Sequence, residues 1–226
     1  MTKICCISDT HGFHRGIPHI EDCDILIHAG DWASGGTHVN ELMAFLNWFN
    51  AQPATHKVLI AGNHDWIFER EPSVCRTVLS GYPSVTYLED SGCEIMGLKF
   101  WGSPWSKRFM NWAFNADPGE EILKHWNLIP NDTDVLVTHG PPFGYLDKSN
   151  NWNVSTGKKF DDCLGDRDLR DALYRVMPEL HVFGHIHGSG GTDTYWSDCG
   201  HKTTLVNASM VDEGYQTTRK PIYLEL

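Results

Sequence analysis

The sequence predicts an α/β fold of two mixed β-sheets stacked face to face and flanked by helices. Three observations carry that expectation. Apolar runs at residues 3–8, 24–28, 57–60, 134–138 and 180–183 are too short for helices and read as buried strands. Stretches with helical apolar spacing lie between several of them, and such alternation gives α/β layers. Short strands around turns in the middle and at the end of the chain add an antiparallel component. The 226 residues are long enough for a substantial core, and residues 1–226 are taken as one domain, since no repeat, low-complexity stretch or linker interrupts them.

In order, residues 3–8 form the first strand, ending in Asp9-Thr10-His11-Gly12. Residues 24–28 form the second, ending in Ala29-Gly30-Asp31. Leu42, Phe45, Leu46 and Phe49 recur at helical spacing, so residues 39–49 are a helix. The third strand, 57–60, leads into Gly62-Asn63-His64-Asp65, where the glycine is expected to let the backbone turn sharply. Residues 66–80 read as a helix that Pro72 breaks or restarts. Residues 85–88, 93–96 and 98–101 read as an antiparallel meander around turns at Ser91-Gly92 and Gly97. Residues 118–126 form a short helix, and 134–138 a buried strand ending in His139-Gly140-Pro141-Pro142. Polar residues 149–159 read as loop. Leu169, Ala172, Leu173 and Val176 share one face of a helix over 166–176. The strand at 180–183 ends in Gly184-His185-Ile186-His187, and strands at 204–207 and 222–226 close the chain.

The net charge of -11 argues against binding long nucleic acid, which needs a basic surface to displace counterions. No apolar run is long enough to cross a membrane, and the first residues lack signal-peptide architecture, so a cytoplasmic location is expected. Seven scattered cysteines without CxxC spacing read as buried free thiols. The 13 histidines are the unusual component, several standing beside Asp, Gly or another His.

Five expected strands end in candidate metal ligands: Asp9 and His11, Asp31, Asn63, His139, then His185 and His187. Ligands and catalytic groups gather past strand C-terminal ends in open α/β sheets. Alternate residues of an extended segment point the same way, so Asp9 with His11, and His185 with His187, can each aim two side chains at one place. Seven N/O donors exceed the need of one four-coordinate ion and suit two ions sharing a carboxylate. Asp31 is the expected bridge, since small residues precede it. Two ions roughly 3.5–4 Å apart form the clamp used for in-line displacement at phosphorus, with hydroxide available near neutral pH to attack it. Mixed imidazole and carboxylate ligation suits Mn first, with Fe, Zn, Co or Ni as alternatives. His64 is the expected catalytic residue, protonating the departing oxygen or stabilising the phosphoryl charge. Asn63 and His64 would contact substrate. Asp65 is assigned at most an orienting role.

The ordered set Asp9-x-His11, Gly30-Asp31, Gly62-Asn63-His64-Asp65, His139 and Gly184-His185-x-His187 resembles the five motifs of the calcineurin-like metallophosphoesterase superfamily. The resemblance implies a four-layer αββα sandwich with the metal site above the strand ends. It implies one ion on Asp9, His11, Asp31 and His187, the other on Asp31, Asn63, His139 and His185, and His64 as catalytic histidine.

A narrower resemblance rests on Gly102-Ser103-Pro104-Trp105, Asn111-Trp112-Ala113-Phe114-Asn115, Thr138-His139-Gly140-Pro141-Pro142 through Leu146-Asp147, and Asn207-Ala208-Ser209. These are similar to the brain metallophosphoesterase-domain proteins, a group similar in turn to class III cyclic nucleotide phosphodiesterases. The chain departs from that group after His187, where Gly188-Ser189-Gly190-Gly191 replaces an acidic residue and an aromatic. The resemblance implies hydrolysis of phosphodiesters, 2′,3′- or 3′,5′-cyclic nucleotides among them. A phosphomonoesterase or phosphoprotein phosphatase is the alternative enzyme, although no Arg stands at the motif positions. A non-catalytic metal-binding scaffold is the alternative of another class. Trp105 is the candidate for stacking a nucleobase, ahead of Trp112, Phe143 and Trp152.

Overall fold

The computed structural model describes residues 1–149 and 163–226, together with the strands Trp152–Asn153 and Lys158–Lys159. The chain begins with β1 (Lys3–Ile7), β2 (Cys23–Ala29), α1 (Val39–Asn50), β3 (Ala54–Ile60), α2 (Trp66–Arg70), α3 (Pro72–Leu79) and β4 (Val85–Tyr87). It continues through β5 (Ser91–Ile95), β6 (Leu98–Ser103), β7 (Ser106–Lys107), β8 (Asn115–Ala116), α4 (Glu120–Trp126) and β9 (Val135–Thr138). The remainder is β10 (Trp152–Asn153), β11 (Lys158–Lys159), α5 (Arg167–Val176), β12 (Leu180–Phe183), β13 (Gly191–Trp196), β14 (Lys202–Asn207) and β15 (Ile222–Glu225).

Two large sheets result. The first has the order β15-β1-β2-β3-β4, with β1 to β4 parallel and β15 antiparallel on β1. The second has the order β13-β14-β12-β9-β6-β5, a parallel centre with β13 and β5 antiparallel at its edges. Residue alternation sorts the apolar side chains into layers. Ile4 and Cys6, with Ile25, Ile27, Val58 and Ile60, meet Phe100, Val135, Val137, Leu180 and Val182 between the sheets. Their neighbours Cys5, Ile7, Leu26 and Leu59 turn the other way, onto Leu42, Phe45, Leu46 and Phe49 of α1. On the far side, Leu136 packs with Ile122 and Trp126 of α4 and Leu169 of α5, and Phe183 and Leu205 with Leu173. At roughly 1.5–3 kcal/mol per buried aliphatic or aromatic side chain, these layers are the main force holding the strand ends together. The architecture is the expected four-layer αββα sandwich.

Several local expectations are corrected. β4 lies parallel beside β3 in the first sheet, so the antiparallel part of the middle segment is the β5–β6 hairpin alone. A three-residue apolar strand carries no signal of its direction. β13 was not expected, because its polar Gly-Thr-Asp-Thr start lacks the apolar run of a central strand and it sits at an edge. Within the expected loop 149–159, β10 and β11 pair antiparallel; these strands are described by their backbone alone, and the stacking role considered for the Trp152 side chain lies outside that description. Pro72 stands at the first turn of α3, where its missing N–H costs nothing. The seven cysteines are free thiols; Cys5, Cys6 and Cys75 are buried and Cys199 is exposed. Among the described residues no helix is long and apolar enough to cross a membrane.

Candidate active site

Every expected ligand lies just past the C-terminal end of a parallel strand: Asp9 and His11 after β1, Asp31 after β2, Asn63 after β3, His139 after β9, His185 and His187 after β12. Donor atoms of Asp9, His11 and His187 fall within 4.8 Å of one another, and so do those of Asp31, His139 and His185. His11, Asp31 and His64 form a third such group between them. Asp31 Oδ2 lies 3.8 Å from His11 Nε2 and 3.3 Å from His139 Nε2. Asn63 Oδ1 lies 2.9 Å from His139 Nε2. The seven candidates are thus brought together, with Asp31 between the two halves.

The backbone achieves this differently from the extended-segment expectation. Asp9, His11, Asp31 and His185 have φ of 50°, 42°, 55° and 67°, all in the left-handed region. Such strain in non-glycine residues persists only where surrounding structure enforces it, and it clusters at functional sites. Here the enforcement is visible. The Asp9, His11 and Gly12 N–H groups donate to the carbonyls of Gly30, Asp31 and Trp32, which ties the first two loops side by side. Both Asp9 carboxylate oxygens accept the His185 N–H at 3.0 Å. Gly62, expected to permit a sharp turn, is instead required for space: a Cβ there would fall on the Asp31 carboxylate and lie 2.6 Å from His139 Cε1.

The charges of the cluster favour a cation. Burial alone would raise the carboxyls of Asp9 and Asp31, but His187 beside the first and His139 beside the second hold both well below the ordinary range. Burial pushes His11 down, and His185 down to about 3, leaving neutral imidazoles. His139 is carried the other way, to about 9; burial opposes the shift, and Asp31 and Asp9 outweigh it. Its Nδ1 stands 2.9 Å from the Ala29 carbonyl, a pure acceptor, and so carries a proton. Raised in this way, the ring carries its second proton on Nε2, which faces Asn63 Oδ1 at 2.9 Å and Asp31 Oδ2 at 3.3 Å. A positive charge thus sits between those two oxygens, the place a divalent ion would take on release of that proton, and the thiolate-free N/O set suits a borderline ion.

His64 borders the same centre. Its N–H donates to Asp31 Oδ1 at 2.8 Å and its ring Nδ1 lies 3.0 Å from the Ser34 carbonyl, so Nδ1 is the protonated nitrogen and Nε2 the remaining one. Trp112 stacks on the ring at 4.1 Å and 30°, and His11 meets it edge-on at 4.9 Å. A cavity of about 650 Å³ opens over Asp31, Asn63, His64, His185 and His187. Trp105 lines it, but His125 already stacks on one Trp105 face at 3.9 Å. Phe143 lies elsewhere, beneath the Arg167 guanidinium at 3.7 Å.

The chain matches the family described as calcineurin-like phosphoesterase over residues 2–189. It belongs to that family. This calcineurin-like phosphoesterase is 36% identical to the human metallophosphoesterase domain-containing protein 1 over its whole length, spanning 71% of that protein. It is 35% identical to the UPF0046 protein C25E10.12 of Caenorhabditis elegans, over 99% of this chain and 80% of that one. Among solved structures, TT1561 of Thermus thermophilus superposes with a TM-score of 0.58 at 12% identity, covering 91% of this chain and 88% of that one, a likeness of fold. The candidate metal cluster is in keeping with a phosphoesterase family that uses divalent ions.

Trp112, weighed in the sequence as a base-stacking candidate behind Trp105, stacks on His64 instead, brought there because the Ala113 N–H donates to the Asn63 carbonyl at 3.1 Å. Two further residues at the site have no signal in the sequence. Tyr215 lies edge-on to His11 and His187, at 4.9 and 5.2 Å. Arg219 donates to the carbonyls of His187, Ser209 and Val211.

Proposed function

We propose that this phosphoesterase is a dinuclear metal-dependent phosphodiesterase acting on small nucleotides, cyclic ones among them. Asp9, His11, Asp31 and His187 would hold one ion, and Asp31, Asn63, His139 and His185 the other. The observation that carries the reading is Asp31 Oδ2, 3.8 Å from His11 Nε2 in one half of the cluster and 3.3 Å from His139 Nε2 in the other. When bound, two such ions supply Lewis acidity toward the phosphoryl group and water acidic enough to ionise near neutral pH. His64 then acts on the leaving group: with Nδ1–H fixed on the Ser34 carbonyl, a proton on Nε2 passes to the departing oxygen. Trp112 holds the ring plane, and the apolar side of the cavity, Trp105 included, receives the base. Mn is the ion to load first.

A phosphomonoester or phosphoprotein substrate fits less well. Among the described residues Arg108 is the one guanidinium lining the cavity, and it is ion-paired with Asp117 and Glu121. A diester, with a single negative charge, needs no such clamp. The test is metal analysis of the Mn-loaded protein followed by a panel of 2′,3′- and 3′,5′-cyclic nucleotides, bis-p-nitrophenyl phosphate and p-nitrophenyl phosphate. Two equivalents of metal with diester turnover above monoester turnover are expected. Two bound ions without turnover of either ester would leave the scaffold reading in its place.

A further inference from the structure

Tyr215 lies outside residues 2–189, the span matched to the family, yet it stands at the mouth of the site. Its ring meets His11 at 4.9 Å and His187 at 5.2 Å, at interplanar angles of 72° and 88°. His11 touches His64 as well, so Tyr215 and His64 are separated by a single imidazole. Tyr215 lines the cavity beside Asp31, His64 and His187 and remains 43% exposed. Among the described residues its hydroxyl has no hydrogen-bond partner.

The turn that presents this tyrosine is braced at some cost. Tyr215 has φ 58°, a left-handed backbone unusual for a bulky aromatic. Its N–H donates to the Asp212 carbonyl at 2.9 Å, and Asp212 Oδ1 accepts the N–H groups of Gly214 and Gln216 at 2.9 and 3.0 Å. Arg219, donating to the carbonyls of Val211 and His187, fastens the base of the turn to the last motif. A turn held this firmly places the phenol with little freedom to lose on binding. Ring packing alone would be served equally by phenylalanine, and the hydroxyl is the part the fold leaves unused.

We infer that Tyr215 contacts the substrate, its phenol O–H donating to a non-bridging oxygen of the phosphoryl group. This rests on the phosphoester reading above. Such a charge-assisted hydrogen bond strengthens as negative charge builds on the oxygen.

The test is Tyr215→Phe, which keeps the ring and removes the donor, with Tyr215→Leu to report on packing. In Tyr215→Phe, Mn content should equal that of the unmodified protein. Its kcat/KM on bis-p-nitrophenyl phosphate should fall about 10- to 100-fold. Calorimetric titration of the Mn-loaded protein with inorganic phosphate should show several-fold weaker binding, a readout independent of turnover. If the unmodified protein turns over the diester, and Tyr215→Phe matches it within twofold in both measurements while Tyr215→Leu is impaired, the tyrosine only packs and the inference is wrong. If the unmodified protein turns over no ester, the phosphoester reading fails instead. Phosphate binding then decides on Tyr215: equal affinities overturn the inference and a weakened Tyr215→Phe upholds the contact.

Discussion

The Asp65 carboxylate holds the backbone of Asp31, its Oδ2 accepting the Asp31 N–H at 2.8 Å. The same oxygen accepts the Gly62 N–H at 2.8 Å, and Oδ1 accepts that of Ala33 at 3.1 Å. One buried side chain therefore joins the loop after β2 to the loop after β3 and sets the position of the carboxylate shared by both halves of the cluster. The acidic residue to which the sequence assigns at most an orienting role is the clasp between two motifs. Burial, and then the nearby Asp31 charge, push its carboxyl well up, while the Gly62 and Ala33 N–H groups act against them.

Asp65→Asn should break the clasp. The amide cannot accept on both sides, so its NH₂ faces at least one backbone N–H in a buried site. An unsatisfied buried donor costs about 1–3 kcal/mol, and loss of an outer support commonly lowers metal affinity about 10- to 100-fold. Urea denaturation and Mn titration should show both losses. Unchanged affinity together with unchanged stability would mean that the loops do not depend on Asp65.

His64→Ala separates two roles that geometry alone leaves close together, since the His64 donor atoms fall within 4.8 Å of those of His11 and Asp31. As a leaving-group acid, its loss should lower kcat about 10²- to 10⁴-fold with both metal equivalents retained. Trp112→Ala, which removes the ring stacked at 4.1 Å, should lower kcat in the same direction by a smaller factor. Loss of metal in His64→Ala would instead make His64 a ligand.

Gly62→Ala should be severe although Gly62 does not occupy the left-handed region. Its Cβ would be 2.5 Å from the Asp31 nitrogen and 2.6 Å from His139 Cε1, both in the wall of the cluster. Asp31 or His139 must shift, so metal stoichiometry should fall below two equivalents while the far-ultraviolet circular dichroism stays native. A variant that still binds two ions with undiminished affinity would show that the loops can yield.

How far the sequence could be read follows from what each feature depends on. The strands carrying the seven candidate ligands are buried on both faces, so apolar runs such as Val135–Thr138 and Leu180–Phe183 announce themselves, and the polar residue after each marks the sheet edge. Edge strand β13, exposed and polar, has no such run. The parallel placement of β4 depends on its neighbours rather than its three residues. Trp105 and Trp112 both stand in recognisable local motifs, yet the contact of Trp112 with His64 depends on an Ala113–Asn63 backbone hydrogen bond across 50 residues of chain. Tyr215 and Arg219 reach the site only once the last segment is threaded back onto β1, through the pairing of Ser8 with Ser209. Tertiary threading of this kind leaves no local pattern.

Two histidines outside the cluster should make the fold acid-sensitive. His28 and His181 are fully buried, and burial pushes each down to about 3. Both are built alike. His181 Nε2 lies 2.8 Å from Thr138 Oγ1, which itself donates to the Gly140 carbonyl, so the histidine must donate and its Nδ1 is bare and without a partner. His28 Nε2 lies 3.0 Å from Thr10 Oγ1, which donates to the Trp32 carbonyl, and its Nδ1 is likewise unpartnered. Protonating either Nδ1 would bury a charge with no acceptor. An unfolded histidine takes up its proton near pH 6.5. Between pH 6.5 and 3 the unfolded state therefore binds more protons than the folded one, and stability falls as pH falls. At pH 5 the loss is about 2 kcal/mol per histidine, from 1.5 pH units at 1.36 kcal/mol each. Urea denaturation of the unmodified chain and of His181→Asn at pH 7.5 and pH 5 should show a pH-dependent loss smaller in the variant by about that amount. The comparison reads the slope and not the absolute stability, so any cost of the substitution itself cancels; equal slopes would mean that His181 accepts its proton in the folded state.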